Sequence, residues 1–234
     1  MLPTLDMWLA CFERRAANPL RAPDSLEASL SAEERDRIAR SIASFQLGEQ
    51  SEGRHFLALA RRHAAEHDCA QLPRITELFI REEQRHAATL ATFMAANAIP
   101  LRRHDWSDRI FRRLRRLAGF ELAITILVTA ELVGIQYYRA LLRSSKSQHL
   151  KAICSIFLQD EALHVTYECE LLLALRARRG RVPGAAATRA HQAFHLVTAL
   201  VAWCGHRRVL RAGGHTMRGF LVACARHYAL YLDS

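Results

Sequence analysis

Glycine and proline are scarce in this chain, ten and six in 234 residues. So few turn-forming residues argue against the short, punctuated strands of a sandwich or barrel. Ala, Leu and Arg recur through long stretches without a turn signal, which favours helix. The expected fold class is all-α. Cysteine pairs are missing as well. Cys11, Cys69, Cys154, Cys169, Cys204 and Cys224 stand apart with no Cys-x-x-Cys among them, which points away from a zinc ribbon or a disulfide scaffold and toward reduced, mostly buried thiols. No long hydrophobic run occurs. The longest, Phe194 to Cys204, is interrupted by His195 and falls short of the roughly 20 residues of a membrane span. The stretch from Met1 to Arg15 holds Asp6 and Glu13 and lacks the basic start and apolar core of a secretory signal. A cytoplasmic protein is expected.

Half of the residues are apolar, enough at this length for one large core, so a single domain over 1–234 is expected. Acidic residues are outnumbered, giving a formal net charge of +10. The arginines crowd at Arg112, Arg113, Arg115 and Arg116, interleaved with Leu114 and Leu117. A run of this kind is either a solvated helix face or a surface for nucleic acid or an anionic membrane, and the sequence leaves both open.

After an irregular lead-in over 1–30, marked by Pro3, Pro19 and Pro23, Ser31 stands three residues ahead of Glu34 in the form of a capping box. A long helix is predicted to begin there. Its special positions, Ile38, Ile42, Phe45, Glu49, Glu52, Phe56 and Leu59, step by fours and threes. That stepping draws one stripe down one face and turns Glu49 and Glu52 toward the core. In a second helix, from near Pro73 to Asn97, the stripe reads Leu72, Ile75, Phe79, Glu83, His86, Leu90, Phe93. A third, over about 119–143, reads Phe120, Ile124, Leu127, Glu131, Ile135, Tyr138, Leu142. A fourth, over about 147–178, reads Leu150, Cys154, Phe157, Glu161, His164, Glu168, Leu171, Leu175. Short joints near Asp68 to Leu72 and Ser144 to Ser147 predict two antiparallel hairpins, and Ala98 to Ala118 is long enough to cross between them. Residues 31–178 are therefore expected to form a four-helix bundle. Two further helices, Ala186 to Trp203 and His215 to Leu232 within 185–234, are expected to pack on it.

Three Glu-x-x-His pairs occur, where 15 Glu and 12 His supply roughly one by chance. Glu52 and His55 form one, with His55 to the side of the stripe. The other two belong to a repeat: Glu49 and then Glu83 with His86, and, after the crossover, Glu131 and then Glu161 with His164. Intervals of 34 and 30 residues separate the paired glutamates, each the length of one helical hairpin. Four carboxylates balance the charge of two divalent ions, and oxygen with imidazole donors suits iron or manganese. Without metal, four such carboxylates on a buried face would be strongly unfavourable. Glu52 could replace Glu49 as the ligand from the first helix. Glu168, one turn past His164, could be an extra ligand, a proton relay or a channel residue, and Tyr138 is either redox-active or a core aromatic. His63 with His67, and His191 with His195, have i, i+4 spacing without a facing acidic partner and read as packing or surface histidines.

Glu49, Glu83-Gln84-Arg85-His86, Glu131 and Glu161-Ala162-Leu163-His164 resemble the pattern of the ferritin-like di-iron carboxylate superfamily, over about residues 31–178. Within it the chain looks closer to the oxygen-activating oxidases and arylamine N-oxygenases than to storage ferritins. The N-oxygenase branch carries an additional histidine one turn before its last glutamate, where this chain has Phe157. The resemblance implies two iron ions, or manganese, or a mixed pair, held by Glu49, Glu83, His86, Glu131, Glu161 and His164. It also implies that Glu82 and Asp160 accept hydrogen bonds that orient the imidazole from the opposite hairpin.

The expected function is a dinuclear-metal oxidoreductase that activates dioxygen to oxidise a small organic substrate with an external reductant, in a homodimer. The alternatives are a ferroxidase or iron-handling protein, and a non-enzymatic helical module with a structural metal site.

Overall fold

The computed structural model describes residues 5–22, 29–50, 53–104, 113, 119–178 and 181–232, with 181–184 described in backbone only. Eight helices and no strand occur among them: α1 Leu5–Ala17, α2 Ala32–Glu49, α3 Arg54–His67, α4 Leu72–Ala96, α5 Phe120–Ser144, α6 Gln148–Ala177, α7 Arg181–Ala212 and α8 Met217–Leu232. The protein is all-α. The helices fall into two compact units, Met1–Ala123 and Ile124–Ser234, the division lying within α5. Most of the crossover, with Arg112, Leu114, Arg115, Arg116 and Leu117, lies outside the described residues, and Arg113 is exposed.

In the first unit α4 is the centre, with α1, α2 and α3 packed on it. Its stripe is apolar where predicted: Leu72, Ile75, Phe79, Leu90 and Phe93 are buried, each worth about 1.5 to 3 kcal/mol of transfer free energy. The capping box at Ser31 and Glu34 forms. Just ahead of it, buried Asn97 accepts from the Ser29 and Leu30 backbone amides, at 2.9 and 3.0 Å, and donates to the Phe93 carbonyl. That knot holds the entry of α2 at the exit of α4, and Gln46 donates to the Ala87 carbonyl further along, so the two helices run antiparallel.

Three expectations need correction here. The lead-in is not irregular throughout, since α1 buries Leu5 and Phe12. Gln71 donates to Asp6 and Arg15 donates to Glu82, at nearly the same sequence offset, so α1 runs parallel to α4. The long helix predicted from Ser31 to Leu59 is two helices, because Gly53 takes a left-handed φ of 61° and starts α3 afresh. A Cβ there would sit 2.6 Å from the Ile80 side chain, so α4 packs closely enough that any side chain at this position would have to displace Ile80. Glu49 is in consequence the last residue of α2 rather than a mid-helix residue.

In the second unit α7 and α8 form an antiparallel pair against α6. His195 on α7 donates to the Cys224 carbonyl of α8 at 3.1 Å, and Trp203 packs on Phe220. α5 joins them through His227, which donates to the Leu132 carbonyl, and through Tyr138, edge-on to Phe157 at 5.3 Å. The first of the two C-terminal helices begins at Arg181, five residues earlier than predicted. Pro183 does not prevent this, because amides of a first helical turn have no intrahelical acceptor to lose. α5 is long and apolar enough to cross a membrane, yet 72% of that window is buried inside the protein and Glu131 lies in its middle. It reads as a core helix.

Candidate metal centre

Each unit carries a triad of two carboxylates and an imidazole. In the first, Glu83 and His86 lie one turn apart on the buried face of α4, with His86 Nδ1 3.7 Å from Glu83 Oε1. α2, fixed on α4 by Asn97 and Gln46, delivers Glu49. One donor atom each from Glu49, Glu83 and His86 lies within 4.8 Å of the others. Glu49 ends a helix whose last turn has no basic residue. A carboxylate at that negative end of the dipole is disfavoured by about 0.3 to 1 kcal/mol, and a cation would reverse the sign.

In the second unit, Glu161 and His164 repeat the arrangement on α6, both fully buried, with His164 Nδ1 3.4 Å from Glu161 Oε2. α5 presents Glu131. Donor atoms of Glu131, Glu161 and His164 again lie within 4.8 Å of one another.

These residues fit a metal ion. Ligand atoms about 2.0 to 2.2 Å from an ion are about 3 Å apart when they subtend a right angle. Separations of 3.4 and 3.7 Å therefore need shifts of only tenths of an ångström. The donors are hard oxygens with borderline nitrogens, and no cysteine belongs to either triad. Cys69, Cys154, Cys169 and Cys224 are instead buried free thiols, Cys11 is half-buried and Cys204 is exposed. Burial pushes the Cys224 thiol up to about 12 and raises Cys154 and Cys169 as well, which makes all three inert.

Of the remaining candidates, Glu52 lies outside the described residues, and its neighbour in the third Glu-x-x-His pair, His55, is exposed. Glu82 is buried, and its Oε1 accepts from Arg85 at 2.7 Å and from Arg15 at 3.1 Å. Asp160 and Glu168 are each 1% exposed on α6, and neither belongs to a triad. Tyr138 is a core aromatic in contact with Tyr137 and Phe157.

Two features escape a sequence reading. One is the clamp of Arg15 on Glu82, since α1 itself carries no strong helix signal. The other is a buried chain through His191. Thr129 Oγ1 donates to the Thr125 carbonyl, so the 2.9 Å contact between Thr129 and His191 Nε2 is a donation from the ring, and Arg176 donates to His191 Nδ1 at 3.0 Å. Burial first, then Arg176 and His195, holds the His191 pKa down to about 3. His195 is lowered to about 4, again chiefly by burial. Both histidines are neutral structural groups.

No family model, curated protein or solved structure matches the chain. The functional reading therefore rests on the two triads themselves.

Proposed function

We propose that the chain is a ferritin-like dinuclear metal oxidoreductase, in which the two triads hold two iron or manganese ions and the protein activates dioxygen to oxidise a small organic substrate. The observation that carries this reading is the repetition of one donor set, two carboxylates with one imidazole in a Glu-x-x-His frame, in each half of the chain.

Glu49, Glu83 and His86 would hold one side of the pair, and Glu131, Glu161 and His164 the other. Their four negative charges match two divalent ions. When bound, such a pair supplies two one-electron equivalents toward dioxygen, together with Lewis acidity at open positions. The chain's own residues do the rest. Glu83 and Glu161 share one helix face with the histidine three residues on, which keeps two ligands in register without a loop that could drift. Phe79, Leu127 and Phe157, all buried and one helical turn from Glu83, Glu131 and Glu161, keep water away from the carboxylates. Glu82, held by Arg15 and Arg85, presents a fixed second oxygen for a ligand histidine.

Elemental mass spectrometry of the purified protein is the test, beside Glu83→Ala with Glu161→Ala. About two iron or manganese ions per chain, lost in the double variant, and rapid oxygen uptake by the reduced protein are expected. A metal-free, stably folded wild type would sink the reading, and a loaded protein inert to oxygen would remove the oxidase part of it.

A further inference from the structure

Outside one stretch near the C-terminus, the acidic and basic residues of this protein balance in number. Between Glu170 and Asp233 there are ten arginines and no acidic residue, an excess equal to the +10 of the whole chain. The apolar exposure gathers there too. Seven of the eleven large apolar side chains exposed among the described residues, including Leu196 at 46%, Val197 at 59% and Leu200 at 45%, lie in this stretch.

On α7 the two properties share one face. Arg189, Ala193, Leu196, Leu200, Cys204 and Arg207 step by fours and threes and are all exposed, with Val197 beside them. They form a solvent-facing stripe with an aliphatic middle and an arginine at each end, about 27 Å apart at 1.5 Å per residue. α8 repeats the composition, with Arg218, Val222, Arg226 and Leu230 exposed.

We propose that the outward face of the α7 and α8 pair docks on an anionic phospholipid membrane. The arginine excess complements anionic headgroups, and long arginine side chains reach phosphates while their stems follow the apolar contact. Leu196, Val197 and Leu200 enter the boundary of the acyl layer. A nucleic acid answers the charge and leaves this aliphatic middle against hydrated phosphates, with no exposed aromatic in the stripe for bases to stack on. A second copy is disfavoured, since a two-fold pairing of α7 sets Arg189 of one chain against Arg207 of the other. The exposed arginines are spread along both helices, Arg189 and Arg207 on α7 and Arg218 and Arg226 on α8, a spacing that suits an extended anionic surface better than a single acidic peptide. The docking is independent of the metal centre.

The test is flotation of the full chain with vesicles of equimolar phosphatidylcholine and phosphatidylglycerol, beside vesicles of phosphatidylcholine alone. Binding to the anionic vesicles only, weakening as salt rises from about 50 to 300 mM, is expected. Arginine at an anionic surface is worth roughly a factor of five, so Arg189→Gln with Arg207→Gln should weaken binding about thirtyfold. Leu196→Ser with Leu200→Ser should also weaken it while leaving the salt dependence intact. A solvatochromic label on Cys204, the exposed cysteine, should report an apolar environment on binding. No flotation at low salt, equal binding to neutral vesicles, or binding undiminished in both variants would overturn the proposal. So would tight binding to duplex DNA or polyglutamate without vesicle binding.

Discussion

Arg176 is a guanidinium only 6% exposed, and its Nε and Nη1 make no hydrogen bond among the described residues. The acceptor for Nη2 is His191, which is kept in the right tautomer by Thr129. Replacing His191 by Phe strands a buried charge and should cost about 3 to 5 kcal/mol. Thr129→Val strands one neutral donor and should cost about 1 to 3 kcal/mol. Arg176→Met combined with His191→Phe removes both partners, and its urea stability should return to within about 1 kcal/mol of wild type. A His191→Phe loss below 1 kcal/mol would refute the chain. The same groups set a pH dependence. Both histidines titrate near 6.5 when unfolded and at about 3 and 4 when folded, so below pH 6.5 the unfolded state binds more protons. Stability is complete above pH 6.5 and falls as pH drops toward 4, with a limiting slope of about 1.4 kcal/mol per pH unit for each histidine. Urea titrations at pH 7 and pH 5 in metal-free buffer should show this, and His195→Leu should flatten the slope by about half. The i, i+4 spacing of His191 and His195 is visible in the sequence. Their partners are a carbonyl, a threonine and an arginine on three other helices, and only the tertiary fold supplies those.

At the scale of elements, two glycines mark close approaches of different kinds. A Cβ on Gly213 would meet the Ala140 carbonyl oxygen at 2.5 Å and its Cα at 2.6 Å, while one on Gly53 would meet only the Ile80 side chain. Backbone of α5 cannot step aside, whereas an isoleucine can change rotamer at a cost near 1 kcal/mol. Gly213→Ala should therefore destabilise by about 3 kcal/mol or more, and Gly53→Ala, with its left-handed φ added, by about 1 to 2 kcal/mol. Chemical denaturation of both variants decides, and equal losses would mean that α5 yields at Ala140. These positions also explain what the sequence could not disclose. α4, α5 and α6 are legible to within about a residue, since each is a long uninterrupted stripe whose ends carry serine or proline. The break between α2 and α3 is not, because Glu49, Glu52, Phe56 and Leu59 keep helical spacing straight across it, and the φ of Gly53 is imposed by packing on Ile80. α1 is missed because a 13-residue helix with two buried positions is stabilised by docking on α4 more than by its own pattern.

For the whole molecule, the two triads set stability against function. Their six residues are legible from sequence because the ligand chemistry repeats at matched intervals. The position of Glu49 at a helix end, and the clamp on Glu82, depend on contacts between helices. Within each triad two carboxylate oxygens lie within 4.8 Å, where two full charges repel by about 3 to 4 kcal/mol at an effective dielectric of 20. In the metal-free protein that repulsion acts in each triad. Glu83→Gln with Glu161→Gln should then raise the stability of the metal-free protein by several kcal/mol while abolishing tight metal binding. Ferrous or manganous ion at a hundred times its dissociation constant should stabilise the wild type by about 2.7 kcal/mol per site, or about 5 to 10 °C in Tm for one site at this chain length, and leave the variant unmoved. Thermal unfolding of both proteins with and without metal separates the possibilities. A wild type that gains nothing from metal, or a variant less stable than the metal-free wild type, would mean that the repulsion within each triad is already offset inside the protein.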